Sequence, residues 1–104
     1  MIVHGREIIV EFFKKHADSK GPLKAWLQEA CDSIWTSPQN VKERYDKASI
    51  LQRNVVVFDI KGNTYRLVVK IAYNTRIVLI VWVGTHPEYD KFKQRGGIIK
   101  CLKL

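Results

Sequence analysis

A chain of 104 residues, 46% of them hydrophobic, is one domain large enough to bury a core. It has no apolar run near the roughly 18 residues a membrane-spanning helix needs. Its two cysteines, Cys31 and Cys101, are too few for a disulfide framework. The net charge of +8 is lopsided: residues 1–52 hold eight Lys/Arg against seven Asp/Glu, and residues 53–104 hold ten against three. Such a bias concerns partners rather than fold, and a polyanion, nucleic acid first, is the expected one.

Ile2-Val3 is short and apolar and reads as an edge strand. Glu7 to His16 reads as an amphipathic helix: Ile8, Ile9, Phe12 and Phe13 recur at helical spacing, opposite Glu7, Glu11, Lys14 and Lys15. Asp18-Ser-Lys-Gly-Pro breaks it, and Pro22 suits the first turn of a second helix lined by Leu23, Trp26, Leu27, Ala30 and Ile34. Ser37-Pro38 opens a third short helix carrying Val41, Tyr45 and Ala48, followed by a loop to Arg53. The period then becomes strand-like. Val55–Ile60, 64–73 and 76–83 read as an antiparallel meander, with Gly62 and Asn63 expected at positive φ in the first turn.

In the middle strand Tyr65, Leu67, Val69 and Ile71 share one face, expected to cover the helices. Arg66, Val68 and Lys70 share the other, expected to stay open to solvent or a ligand. Simple alternation in the last strand puts Val78, Ile80 and Trp82 on one side, and Ile77, Leu79, Val81 and Val83 on the other. Glu88 to Lys91 reads as a first helical turn, with acids where the helix dipole favours them. The basic, glycine-broken tail from about 93 fits a strand, a helical turn or a disordered end. The N-terminal Met-Ile-Val-His-Gly-Arg-Glu is unlike a secretory leader, so a cytoplasmic protein is expected. The fold class is α+β, a single domain over 1–104 with N-terminal helices packed on a small antiparallel sheet.

Four residues carry chemistry. Arg66 and Lys70 stand about 13 Å apart along one strand face, and His86 and Tyr89 follow at the end of the most hydrophobic strand. Cleaving RNA without a metal needs a base for the 2′-hydroxyl proton, cations for the charge on the phosphorane and an acid for the departing 5′-oxygen. Imidazole does proton work near neutral pH, and the arginine fork suits a phosphate. Lys70 is equally well read as a solvated side chain. His86 is otherwise a hydrogen-bonded turn residue, and Tyr89 either points into a site or packs on the sheet. His4 and His16 are isolated and read as surface residues. The second half has only Asp59, Glu88 and Asp90 as acids, and the cysteines lack zinc spacing, so neither a metal nor a cofactor is expected.

The segments Phe58-Asp-Ile-Lys-Gly-Asn-Thr-Tyr-Arg-Leu-Val-Val-Lys-Ile and Val83-Gly-Thr-His-Pro-Glu-Tyr-Asp-Lys together resemble the HigB family of bacterial toxins, in the RelE/ParE superfamily. The resemblance extends over roughly residues 1–92. It implies a RelE-like α+β fold and ribosome-dependent cleavage of mRNA in the decoding site. It also implies neutralisation by a HigA-type antitoxin with a helix-turn-helix domain, through which alone operator DNA is met. On this resemblance Arg66 is the phosphate-binding arginine, His86 and Tyr89 are the acid/base pair in either order, and Lys70 acts electrostatically. Lys61, Arg53, Arg76 and Lys91 are expected to contact RNA. Two other readings fit the same residues: a non-catalytic module that binds RNA or the ribosome, and a ParE-like gyrase poison. The three acid/base and phosphate residues weigh against the latter.

Overall fold

The computed structural model describes residues 1–102, and of Leu102 the backbone alone; Lys103 and Leu104, the end of the basic tail, lie outside the described residues. The elements run β1 (Ile2–His4), α1 (Arg6–Lys15), a 3-10 turn (Ala17–Ser19), α2 (Lys20–Asp32), α3 (Pro38–Arg44), β2 (Ser49–Ile50), a 3-10 turn (Gln52–Asn54), β3 (Val55–Ile60), β4 (Tyr65–Ala72), β5 (Ile77–Thr85), α4 (His86–Gln94) and α5 (Gly97–Leu102). The strands form one sheet in the order β1-β5-β4-β3-β2. Strands β2 to β5 pair antiparallel as a meander. β1 joins β5 in parallel, so the expected antiparallel sheet is mixed. That pairing follows from chain direction: α1 and α2 return the chain across the sheet before β3 begins, leaving β1 as an edge.

α1 and α2 form where the 3.6-residue apolar stripe predicts. Glu7 sits in the first turn of α1 and Lys14 and Lys15 in the last, each sign at the end of the dipole that favours it. Gly5 caps α1 at φ 92°, and a Cβ there would stand 2.8 Å from the Ile80 carbonyl, so only glycine lets α1 start this close to β5. The stretch expected as a loop up to Arg53 instead adds β2 to the edge of β3, pairing Ser49 with Val57 and Ile50 with Val56. In the β3–β4 turn the positive φ values fall on Lys61 (54°) and Gly62 (66°), one residue earlier than expected. The tail resolves into α5 as far as it is described.

The larger core lies between the sheet and α1, α2 and α3. Phe58 is its centre, with ring centroids of Tyr45 at 5.0 Å, Trp26 at 5.4 Å and Trp35 at 6.2 Å. The opposite sheet face, expected to be open around Arg66 and Lys70, is partly covered. α4 and α5 lay Tyr89 and Cys101 over Val55, Val57 and Val68, three fully apolar positions that would otherwise face water.

A β-bulge corrects the alternation expected of β5. Val69 pairs with Ile80 but Val68 pairs with Trp82, so Val81 is an extra residue. Beyond it the faces swap. Val83 joins Val78 and Ile80 on the larger core, and Trp82 turns to the α4 side. There it stacks on Phe92 at 4.5 Å and 15°. Gly84 lies against the indole so closely that any Cβ would collide with it.

Candidate active site

The candidate residues gather at the end of the sheet where β5 runs into α4. Thr85 is the N-cap of α4. Its hydroxyl accepts from the Glu88 N–H (3.3 Å), and the Glu88 carboxylate accepts from the Thr85 N–H (2.7 Å), a complete capping box followed by Pro87 in the first turn. The bond from the Thr85 N–H holds the Glu88 carboxyl below its ordinary value. A carboxylate depressed on folding adds stability that is present above its ordinary pKa and lost as pH falls through the lower folded value. The melting temperature of the wild-type chain should therefore exceed that of Glu88→Gln near neutrality, and the difference should begin to shrink near the ordinary Glu value of about 4.3 and vanish only below the lower folded value. Melting curves between pH 7 and pH 3 check this; a difference independent of pH would refute it.

The box fixes His86 at the first position of α4, with its backbone N–H donating 3.0 Å to the Thr64 carbonyl. The imidazole is 40% exposed, and its Nε2 lies 3.8 Å from Asp90 Oδ1 one turn on. On the neighbouring strand Arg66 pairs with Gly84, two residues before His86. Its guanidinium forms an ion pair with Asp59, directly opposite on β3, and both side chains are more than four-fifths buried. The Arg66 Nε is buried without a hydrogen-bond partner. One carboxylate engages at most two of the five guanidinium donors in a fork, so capacity remains for a second anion.

Tyr89 packs inward on the sheet with its ring 5.8 Å from the Arg66 guanidinium carbon and 4.9 Å from Lys93 Nζ. Burial pushes its phenol above the ordinary value, and the Arg66 charge offsets this only in part. Arg66, Tyr89 and His86 are thus brought to one end of the sheet. Lys70 is not: it lies opposite Leu79 and Val55, four residues along β4 and close enough to Cys101 for its charge to act on that thiol. The expected RNA contacts divide. Lys61 is at the β3–β4 turn, bound to Asp18 at 2.6 Å, and Lys91 is exposed on α4. Arg53 and Arg76, both at positive φ, occupy turns at the opposite end of the strands.

Two residues passed over in the sequence stand beside this end. His16, expected as a surface residue, is half-buried: it stacks on Phe12 at 4.3 Å, meets the Tyr65 ring edge at 5.6 Å and helps hold Glu88 low. Its place one helical turn after Phe12, on the apolar stripe, was the available signal. Asp18 accepts from both Lys61 and the Tyr65 hydroxyl, which lowers its own pKa and raises that of Tyr65. A cleft of about 370 Å³, lined in part by Phe12, His16, Trp82 and Glu88, runs between α1 and α4. Among the described residues no three His, Cys, Asp or Glu are grouped to hold a metal ion, and no helix is long and apolar enough to cross a membrane.

No curated protein matches this sequence. A family does: HigB_toxin, the RelE-like toxic component of a toxin-antitoxin system, matches residues 19–92, from the start of α2 through most of α4. The match spans Asp59, Arg66, His86 and Tyr89 and leaves out β1, α1 and α5. With about seven-tenths of its length matched and an α+β fold to accompany it, the chain belongs to the HigB family of RelE-like toxins from toxin-antitoxin systems.

Proposed function

We propose that this toxin is a metal-independent endoribonuclease that cuts mRNA on the ribosome. The observation that carries the reading is the placement of Arg66, Tyr89 and His86 at one end of the sheet, with the arginine held between Asp59 and the Tyr89 ring. His86, the more exposed of the two proton carriers, removes the proton from the 2′-hydroxyl. The 2′-oxygen attacks phosphorus, the P–O5′ bond breaks, and the products are a 2′,3′-cyclic phosphate and a 5′-hydroxyl. Arg66 meets the charge on the phosphorane. Burial keeps the Tyr89 phenol protonated, which suits it to donate to the departing 5′-oxygen rather than to act as base. Lys70, Lys61, Arg53, Arg76 and Lys91 supply attraction to the RNA and ribosome. The toxin works in the cytoplasm, and its antitoxin is of the HigA type, with the helix-turn-helix domain that alone contacts operator DNA.

One observation favours a rival. The Asp59–Arg66 pair is what a purely structural arginine would also form, and the chain would then be a non-catalytic ribosome-binding module. Primer-extension mapping on a defined message, with and without ribosomes, separates the two. Cleavage is expected only with ribosomes, and His86→Ala should lower its rate by about 10²–10⁴. An uncut message with folded wild-type protein would overturn the nuclease reading and leave the binding module, a gyrase poison or an inactivated toxin.

A further inference from the structure

Of the two faces of the sheet, the one carrying α4 and α5 is covered over β3, β4 and the far end of β5, and less so over β1 and the start of β5. Residues paired across strands share a face, so Ile2, Ile77 and Ala72 form one row on that face, and His4, Leu79 and Lys70 form the next. Val3 and Val78, between the rows, point into the larger core. Ile2 is 58% and Leu79 38% exposed; Ala72 is exposed and Ile77 half-buried. A neighbouring pair of strands therefore presents aliphatic side chains to water at the β1 edge. The formal charges within these segments have one sign. Lys70 lies in the second row beside His4, and Arg76 precedes Ile77, its carbonyl accepting from the Ile2 N–H at 2.6 Å. Residues 1–4 and 70–79 contain no Asp or Glu.

We propose that this strip is the docking site for an acidic amphipathic helix of the antitoxin. An apolar sheet face is completed by a packed layer, and two strands about 5 Å apart offer a shelf about 10 Å wide, the diameter of one helix. A helix with aliphatic residues on one side and Asp or Glu along its margins matches both the floor and the basic rim. A second copy of the chain fits poorly, because two-fold pairing sets each basic rim against itself between partners of charge +8. Single-stranded RNA fits poorly as well, because the floor of Ile2, Ala72, Ile77 and Leu79 is aliphatic and His4 is the single ring in these two rows on which a base could stack. The inference rests on membership of the toxin family and not on the cleavage mechanism; binding to the antitoxin is read without any nuclease assay, so either reading can fail alone.

The test is titration of the full-length toxin with its cognate antitoxin, comparing wild type with Leu79→Glu and Ile2→Glu. Ile34→Glu serves as control, being as exposed (62%) but outside the strip. Each strip variant should weaken binding by about 30-fold or more, the loss typical of an interface anchor, and the control should leave it within about threefold. Circular dichroism checks that the variants fold. Should they not, a photo-crosslinking residue at position 79 in the otherwise wild-type chain gives the second reading, with mass spectrometry of the product expected to find an acidic helical segment of the antitoxin. Wild-type affinity in both folded strip variants, or crosslinks confined to another copy of the toxin or to RNA, would overturn the proposal.

Discussion

Arg66→Ala should lower ribosome-dependent message cleavage by about 10²–10³, the usual cost of deleting one preorganised charge at a transition state. It should also cost stability. Asp59 faces Arg66 across the β3–β4 ladder and is 18% exposed, so removing the guanidinium strands a carboxylate with little water to replace it. A penalty of about 1–3 kcal/mol is expected for a group left so. The two effects separate in the double variant Asp59→Ala/Arg66→Ala, which should regain stability and remain inactive. Reporter growth assays, primer extension and thermal melts on the three proteins decide it. If the double variant recovers cleavage, Arg66 serves only to neutralise Asp59. Should folded Arg66→Ala remain fully toxic, the assigned role of this arginine is wrong.

Phe58→Ala should destabilise the chain by about 3–5 kcal/mol, the range for emptying an aromatic site in a packed core. Phe58 is fully buried on β3, with Tyr45, Trp26 and Trp35 all in ring contact. These three neighbours come from α2 and from the segments at either end of α3, so one truncation loosens that whole helical layer at once. A domain of this size loses about 4–8 °C of melting temperature for each kcal/mol, so a fall of at least about 12 °C is expected. Two of the three tryptophans report directly on the site, and their fluorescence should shift toward that of solvated indole. A variant melting within a few degrees of wild type would mean that the surrounding rings close over the gap.

The sequence carried the elements well where one residue pattern decides them. The stripe of Ile8, Ile9 and Phe12 marked α1, and Leu23, Trp26 and Ala30 marked α2. The run Val55–Ile60 gave β3 with both boundaries correct. The acids at Glu88 and Asp90 marked the first turn of α4, which in fact begins two residues earlier, at His86, because Thr85 and Glu88 close a capping box around that start. It was less informative where two distant segments share the decision. β2 is two residues with no pattern of their own, ordered only because β3 offers an edge. The bulge at Val81 is set by how α4 and the larger core compete for opposite faces of β5, which no local alternation encodes.

The candidate site shows the same division. Arg66, His86 and Tyr89 were legible because their residue types and strand positions carry the chemistry within short stretches of chain. Asp59, His16 and Asp18 were not, since each matters only through a neighbour brought to it by folding: Arg66 across a ladder, Tyr65 and Glu88 from another layer, Lys61 from the distant β3–β4 turn. Sequence by itself determined the α+β class, the helices, the meander and the basic charge of the second half, because hydrophobic period and charge are local properties. Tertiary structure alone decided that Arg66 shares its guanidinium with Asp59, that Tyr89 is buried with its phenol pushed above the ordinary value, that Lys70 stands apart, and that a strip at the β1 edge of one sheet face is left exposed. Those outcomes depend on which surfaces compete for the same space, and packing settles that only when the whole chain is in place.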